Sequence, residues 1–404
     1  MAGQDRLLRS LPAYAEAAPL ASAAWPPLAP FGITRVGDLT DLDIIGLPVW
    51  FSVRPNSRVL SVSQGKGLTH EQARISAIME SVEGAVAEKT REIVTEFGSC
   101  AALKTRGRDL VPLERLDRCR FGVFSPSRER AWVPGVEHGT GRPVLAPYEL
   151  VGLDLRTFLP WDHAGFHMTS NGLAAGPSFE FAAAAALLEL IERDATALNG
   201  LFGGRTIQQL RWEPGFHGGL DEAVAKVEAA GLEPRLFVSA SQVGLPVVSA
   251  IITRPVLHEA GAGARLSGGD ACRIDAGDAA LAAVLEAVQS RLTNIAGSRD
   301  DMDETQYGPG SGTLPALLPD ALPLPRLVAG AAARDLSPAA RLETIVGRLA
   351  AAGLTEVFLF DLPVPVSGIH VVRALVPGLK AEIAGHVTQV AAGDLRNVLL
   401  GPGS

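Results

Sequence analysis

The chain has 404 residues, 47% of them hydrophobic and 20% charged, with a formal net charge of -8. A sequence of this size and balance folds around a large core, and its negative charge argues against a nucleic-acid-binding body, which needs cations to neutralise phosphates. No apolar run reaches the roughly 20 residues of a membrane helix, MAGQDRLLRS lacks the apolar core of a signal peptide, and Cys100, Cys119 and Cys272 lack zinc-type spacing, so they read as reduced thiols of a cytoplasmic protein.

In chain order, residues 1–30 contain AAWPPLAP, too rich in proline for a regular helix or a central strand, and read as an N-terminal arm ahead of one body over 31–404. Gly46-Leu47-Pro48 then turns into the strand VWFSV, and the same turn-and-strand unit recurs at Gly244-Leu245-Pro246 and at Gly368-Ile369-His370. From Ser63, SQGKGLTHEQARISAIMESVEG predicts a helix capped by Thr69 with Gln72 as its capping-box partner, running to about Glu96. Its apolar Ile75, Ile78, Met79, Val82 and Val86 follow helical spacing and leave Glu80 and Glu83 on a neighbouring face. The arginine-rich stretch from Arg106 to Arg130 predicts an exposed loop that serves solubility.

The centre of the chain, SNGLAAGPSFEFAAAAALLELIER at residues 170–193, predicts a polar turn and an alanine-rich helix bearing Glu189, Glu192 and Arg193. A helix near 220–230 stops at Gly231 before the strand LEPRLFVSA. From Ser267, SGGDACRIDAGDAALAAVLEAVQSR gives Glu286, Gln289 and Arg291. Residues 303–325, rich in glycine and proline, predict a loop or lid. Ser337 caps a last helix with Pro338 in its first turn, and Ala-Ala-Gly-Leu ends it at 351–354 as it does at 229–232.

Three segments thus run Ser-x-Gly, loop, helix and Glu-x-x-Glu or Glu-x-x-Gln, within repeats near 44–96, 165–200 and 244–299. Such repetition predicts an α/β fold of repeated strand-helix units. Residues three apart share a helix face, so Glu80 with Glu83 and Glu189 with Glu192 offer oxygen ligands to a hard cation such as Mg2+, with Lys66, Arg193 and Arg291 as partners for phosphates. A lone Glu-x-x-Glu is ordinarily a solvated face; two of them and a Glu-x-x-Gln in one repeated context change that weighting. A di-iron bundle would need Glu-x-x-His, Gly65-Lys66-Gly67 is not a Walker A loop, and His163 and His167 lack the glutamate of a zincin pair.

The blocks SQGKGLT with Glu80 and Glu83, SNGLAAG with LLELIERDA, EAVQSR, and the late strand ending VPGL resemble YcaO-domain proteins, from about Gly32 to Pro377. GITRVGDLTDLDIIGLPVW and QSRLTNIAGSRDDM further resemble the branch associated with TfuA proteins. The resemblance implies helices packed on β-sheets around one nucleotide site, with ATP and Mg2+ as cofactors. It also implies phosphorylation of a peptide amide oxygen after a nucleophile has added to the carbonyl carbon. Sulfide would give a thioamide; a Cys, Ser or Thr side chain would give an azoline.

By the same resemblance, Glu80, Glu83, Glu189 and Glu192 are metal ligands, and Arg193 and Arg291 hold phosphates and complete a catalytic set with Glu189 and Glu192. Gln289 supports Arg291 or reaches the nucleotide, and Lys66 and Ser170 line its pocket. Two positions depart from the family pattern: Gly176-Pro177-Ser178 stands where Gly-Asn-Thr is usual, and Phe181 where a further metal-binding glutamate is usual. Glu180 is adjacent, about 100° round a helix, and serves as a ligand only if the first turn is distorted. The expected function is thioamide formation on a precursor peptide with a TfuA-like partner, the protein itself forming a homodimer. The alternatives are an azoline-forming cyclodehydratase and a peptide-binding scaffold with a degenerate ATP site.

Overall fold

A computed structural model describes residues 27–116, 118–119, 124–156, 161, 165–201, 207–254, 266–302, 321–324, 336–380 and 386–387. Strands β1 (Arg35–Asp38), β2 (Val49–Val53) and β3 (Val62–Lys66) form one antiparallel sheet, and helix α1 (His70–Ala87) packs on it. A second sheet runs in the order β4 (Glu96–Gly98), β6 (Arg130–Glu137), β14 (Phe358–Leu362), β15 (His370–Leu375) and β8 (Leu173–Gly176), with β7 (Pro143–Pro147) beside β6. The third has the order β12 (Leu266–Cys272), β11 (Val247–Thr253), β10 (Glu233–Ser239), β9 (Ile207–Arg211) and β13 (Leu322–Pro323). A further pair joins β5 (Arg118–Cys119) to β16 (His386–Val387).

Helix α2 (Phe179–Leu201) lies on β15 and β8, α3 (Gly218–Ala229) on β10, and α4 (Ala276–Ala296) on β12 and β11; α5 (Pro338–Ala351) packs on α2. Short side chains allow these approaches. A Cβ at Gly65 would collide with the backbone of Ala73 and Ala77, and one at Gly269 with that of Ala283 and Ala287, so β3 and β12 press directly on α1 and α4. On α2 the fully buried Ala182, Ala183 and Ala186 serve the same end, and a larger residue at any of them would overpack the layer at a cost of about 1–3 kcal/mol.

Gly46, Gly244 and Gly368 adopt left-handed φ of 71°, 72° and 78°, a region open to glycine without strain, and each leads into a strand: β2, β11 or β15. Those strands pair with β3, β12 and β8, which hold or follow the three Ser-x-Gly segments. Each long helix also reaches an edge strand of the next unit: α1 meets β8, α2 meets β12 and α4 meets β3. Three strand-pair-and-helix units therefore close on one another, and matching helix positions face a common centre.

The caps follow the sequence. Thr69 and Gln72 form the capping box of α1, and Ser337 caps α5 ahead of Pro338. Helix α1, however, ends at Ala87 rather than near Glu96: Glu88 still donates to the Gly84 carbonyl, Lys89 leaves the helical region at ψ 65°, Thr90–Ile93 form a separate turn, and residues 96–98 pair with β6. Arg130 is no part of an exposed loop: it is 3% exposed, over the rings of Phe124 and Phe166. Of the expected lid, 321–324 supply β13, while 303–320 and 325 lie outside the described residues, as does the arm over 1–26. No described helix is long and apolar enough to cross a membrane.

Candidate functional site

The closure of the three units brings five glutamates into mutual electrostatic contact: Glu80 and Glu83 from α1, Glu189 and Glu192 from α2, and Glu286 from α4. Each edge strand contributes to a neighbouring helix. The Ala175 N–H of β8 donates to Glu83 Oε1 at 2.8 Å, and Lys66 Nζ of β3 meets Glu286 Oε2 at 2.9 Å. Asp270 of β12, which accepts from the Ser249 hydroxyl at 2.5 Å, feels the charges of Arg193 and Glu286. The turn before β8 adds the Gly172 N–H, which donates to Glu189 Oε2 at 3.2 Å. Arg193 Nη2 stands 3.9 Å from Glu189 and 3.6 Å from Glu192, and its Nε is buried without a hydrogen-bond partner.

Burial makes most of these carboxylates costly to ionise. Burial pushes Glu192 up to about 8, with Glu286 and Glu189 adding to the rise against Arg193. Burial likewise raises Glu83 well above the carboxylate range and raises Glu189. Glu80 is pushed up to about 7; its surface is open, yet protein surrounds it closely enough for desolvation to dominate, as on the wall of a deep concavity. Glu286 goes the other way: burial would raise it, but the charge and hydrogen bond of Lys66, with the charges of Arg193 and Arg273, together hold it low. Arg299, beyond α4, also faces Glu80, although its guanidinium is already paired with Asp301. Carboxylate oxygens are the ligands that a hard divalent cation takes, and one bound there would offset the cost of ionising them.

The family model of YcaO, described as an ATP- and Mg2+-binding cyclodehydratase, matches residues 64–380. The chain belongs to the YcaO family. It is 35% identical over 392 residues to an uncharacterized protein in the tfuA 3' region of Rhizobium leguminosarum bv. trifolii, covering 91% of this chain and 89% of that one. An uncharacterized protein of Methanothermobacter thermautotrophicus is 30% identical, over 87% of this chain and 91% of its own. The solved structure of YcaO from Methanopyrus kandleri bound with AMPPCP and Mg2+ is 26% identical with a TM-score of 0.61, covering 86% of both chains. A heterocyclase solved in complex with substrate and cofactor shares the fold alone, at 19% identity and a TM-score of 0.63, covering 86% of this chain and 50% of that one. Family membership makes this YcaO protein an ATP-dependent enzyme with Mg2+ as cofactor.

The donor set has the chemistry such a group takes: carboxylates raised by burial, and a buried Arg193 N–H with no acceptor. Among the residues singled out in the sequence, Glu80, Glu83, Glu189, Glu192, Arg193 and Lys66 meet at this centre. Ser170 is exposed in the turn before β8, and Gln289 is half-buried one turn beyond Glu286.

Two residues are not brought there. Arg291 is 7% exposed, and its Nε and Nη2 hold both oxygens of Asp43 at 2.8 and 3.0 Å; five residues beyond Glu286, it lies on another face of α4. Glu180 needed a distorted first turn, but α2 begins regularly: the Phe181 N–H donates to Ser178 Oγ at 3.2 Å and the Ala182 N–H to the Ser178 carbonyl at 3.1 Å. At about 100° per residue, Glu180 is half a turn away from Glu189. Phe181 faces nearer the cluster, with its ring against Gly176.

Glu286, Asp270 and Arg299 are the site groups that sequence reasoning did not assign. The parallel of Glu286 with Glu80 and Glu189 in the repeat was the available signal. His217, Asp275 and Asp278 also come together, but their atoms are engaged in capping: His217 Nδ1 accepts the Leu220 N–H, its Nε2 donates to Asp278, and Asp275 accepts from Gly277 and Asp278.

Proposed function

We propose that this YcaO protein converts a backbone amide of a precursor peptide into a thioamide, with a TfuA-like protein delivering sulfide. In this reading sulfide adds to the carbonyl carbon, the carbonyl oxygen takes a phosphoryl group, and phosphate departs with that oxygen as the carbon–sulfur double bond forms. The products are the thioamide, ADP and phosphate. When bound, ATP would supply the phosphoryl group and Mg2+ would neutralise charge that builds on its oxygens.

The protein's own residues bind and orient. Glu80, Glu83, Glu189 and Glu192 hold the metal, Arg193 and Arg299 face the phosphates, and Gln289 and Ser170 line the nucleotide. Glu286 fixes Lys66 beside them. Arg291 has no part in this set, since Asp43 occupies its fork. Carboxylates from three helices at one centre are the observation that carries the reading.

An external sulfur source is supported by the chain's own thiols. Cys100 and Cys272 are buried, and burial pushes both thiols up, away from the reactive thiolate; the Cys119 side chain lies outside the described residues. The relative named for the tfuA 3' region supports the partner. The fold shared with a heterocyclase favours azoline formation as the second reading, and Phe181 beside Pro177 favours an inactive scaffold as the third. Incubation with precursor peptide, ATP, Mg2+ and sulfide, with and without the partner, distinguishes them by mass spectrometry. Oxygen-to-sulfur exchange is the expected result; sulfide-independent loss of water would favour the azoline, and no change together with no ATP binding would leave the scaffold.

A further inference from the structure

Arg373 stands on β15 and is 1% exposed, and its guanidinium donates to three backbone carbonyls: Nε to Val151 at 3.2 Å, Nη1 to Asn171 at 2.6 Å and Nη2 to Thr169 at 2.7 Å. A buried cation held only by neutral carbonyls is costly, and burial pushes Arg373 down to about 10, so it remains charged at neutral pH. Its location explains what it does. The carbonyls of Thr169 and Asn171 flank exposed Ser170, and the adjacent Gly172 carbonyl accepts the Ala374 N–H at 2.8 Å.

The same loop touches the acidic centre. The Gly172 N–H meets Glu189, and three residues on the Ala175 N–H meets Glu83. Both glutamates feel the charge of Arg373 from behind.

We infer that Arg373 is the positioning residue of this site: its planar fork clamps residues 169–172 so that Gly172 and Ala175 fix the Glu189 and Glu83 carboxylates and Ser170 is presented beside them. A lysine keeps the charge but cannot span two carbonyls as a rigid fork does. The inference rests on the nucleotide-site reading above, and its test uses two signals that separate the two claims.

In Arg373→Lys and Arg373→Gln, hydrogen exchange over residues 169–176 and calorimetric binding of Mg2+-ATP are measured alongside the melting temperature. The expected Arg373→Lys protein folds, exchanges faster over 169–176, and binds Mg2+-ATP more weakly by on the order of tenfold to a hundredfold, the usual loss when a residue that orients ligands is removed. Arg373→Gln loses more. If these variants do not fold, Gly172→Ala tests the same clamp with Arg373 intact. Gly172 has a φ of 73°, and a Cβ there would meet the Ala374 carbonyl at 2.9 Å, so the loop should be displaced with the same two signals.

A folded variant with a lower melting temperature but parental exchange and parental Mg2+-ATP affinity would overturn the inference and leave Arg373 as a core residue. If the parent protein itself binds no Mg2+-ATP, the nucleotide reading falls; unchanged exchange over 169–176 in the variants would then overturn the clamp as well.

Discussion

Two buried acidic regions of this protein behave in opposite ways. Asp154 is completely buried, and burial alone would raise it, yet hydrogen bonds from the Arg156 side chain and backbone, with the charges of Arg156 and Arg58, hold it below the ordinary carboxylate range. Close by, Glu88 receives Arg54, whose own guanidinium is 4% exposed, and the Arg58 N–H at 2.9 Å. Glu192 is nearly as buried, at 6%, but is pushed up to about 8. Depth and partners both separate them: protein closes more fully round Glu192, where burial is the first cause of the rise, while Arg156 and Arg58 hold Asp154 directly. In the Glu88 and Asp154 network three guanidiniums answer two carboxylates and hold the fold, whereas at the three-helix centre burial outweighs the help that Arg193 and its neighbours give Glu192.

The sharpest break in that comparison is Glu88→Gln. Removing one partner of a buried pair leaves Arg54 uncompensated, so urea unfolding should show a loss of about 3–5 kcal/mol, while the folded variant binds Mg2+-ATP as the parent does. Glu189→Gln and Glu192→Gln should do the reverse. Each should lower Mg2+-dependent ATP turnover at least about a hundredfold, some 2.7 kcal/mol, without lowering the melting temperature. ATP turned over at the parent rate by both would remove the acidic centre from the mechanism.

A smaller effect follows from pH. Glu80 and Glu192 have folded values of about 7 and about 8 against an ordinary 4.5, so the folded state holds protons that the unfolded state has released. Their contribution to stability is therefore fully present below about pH 4.5 and is lost as pH rises through 7 and 8. Melting curves without metal should fall across that window, and Mg2+ should flatten the fall; a curve rising from pH 5 to pH 8 through these groups would contradict the rise that burial gives them. The smallest expected change is in Pro177→Asn with Phe181→Glu, which adds an amide and a carboxylate at the start of α2 and should tighten Mg2+-ATP by about tenfold. Unchanged affinity would mean that this turn takes no part in binding.

Much of this contrast can be read from residue order. Glu-x-x-Glu on a helix places two carboxylates together whatever the rest of the chain does, and the glycines at 46, 244 and 368 mark equivalent left-handed turns. Periodicity does not say which partner a face meets. Arg291 follows Glu286 in the same motif, but Asp43, 248 residues earlier, takes its fork. Arg373 likewise reads as one polar residue in an apolar strand until Asn171 and Thr169, 202 and 204 positions away, are found beside it. Glu180 differs in kind: a regular helix start, fixed by Ser178, decides its face. Contacts of such sequence separation are products of the closed arrangement of the three units, and no local pattern encodes them.

The central claim is that the acidic centre binds a nucleotide because a metal completes its charge. Titration calorimetry of the protein with ATP, with and without Mg2+, and of Glu192→Gln under the same conditions, tests it most directly. The account predicts saturable binding that requires Mg2+, releases protons near pH 7.5 as Glu192 and Glu80 ionise, and is severely weakened in the variant. Equal binding without Mg2+, or undiminished binding by Glu192→Gln, would contradict it.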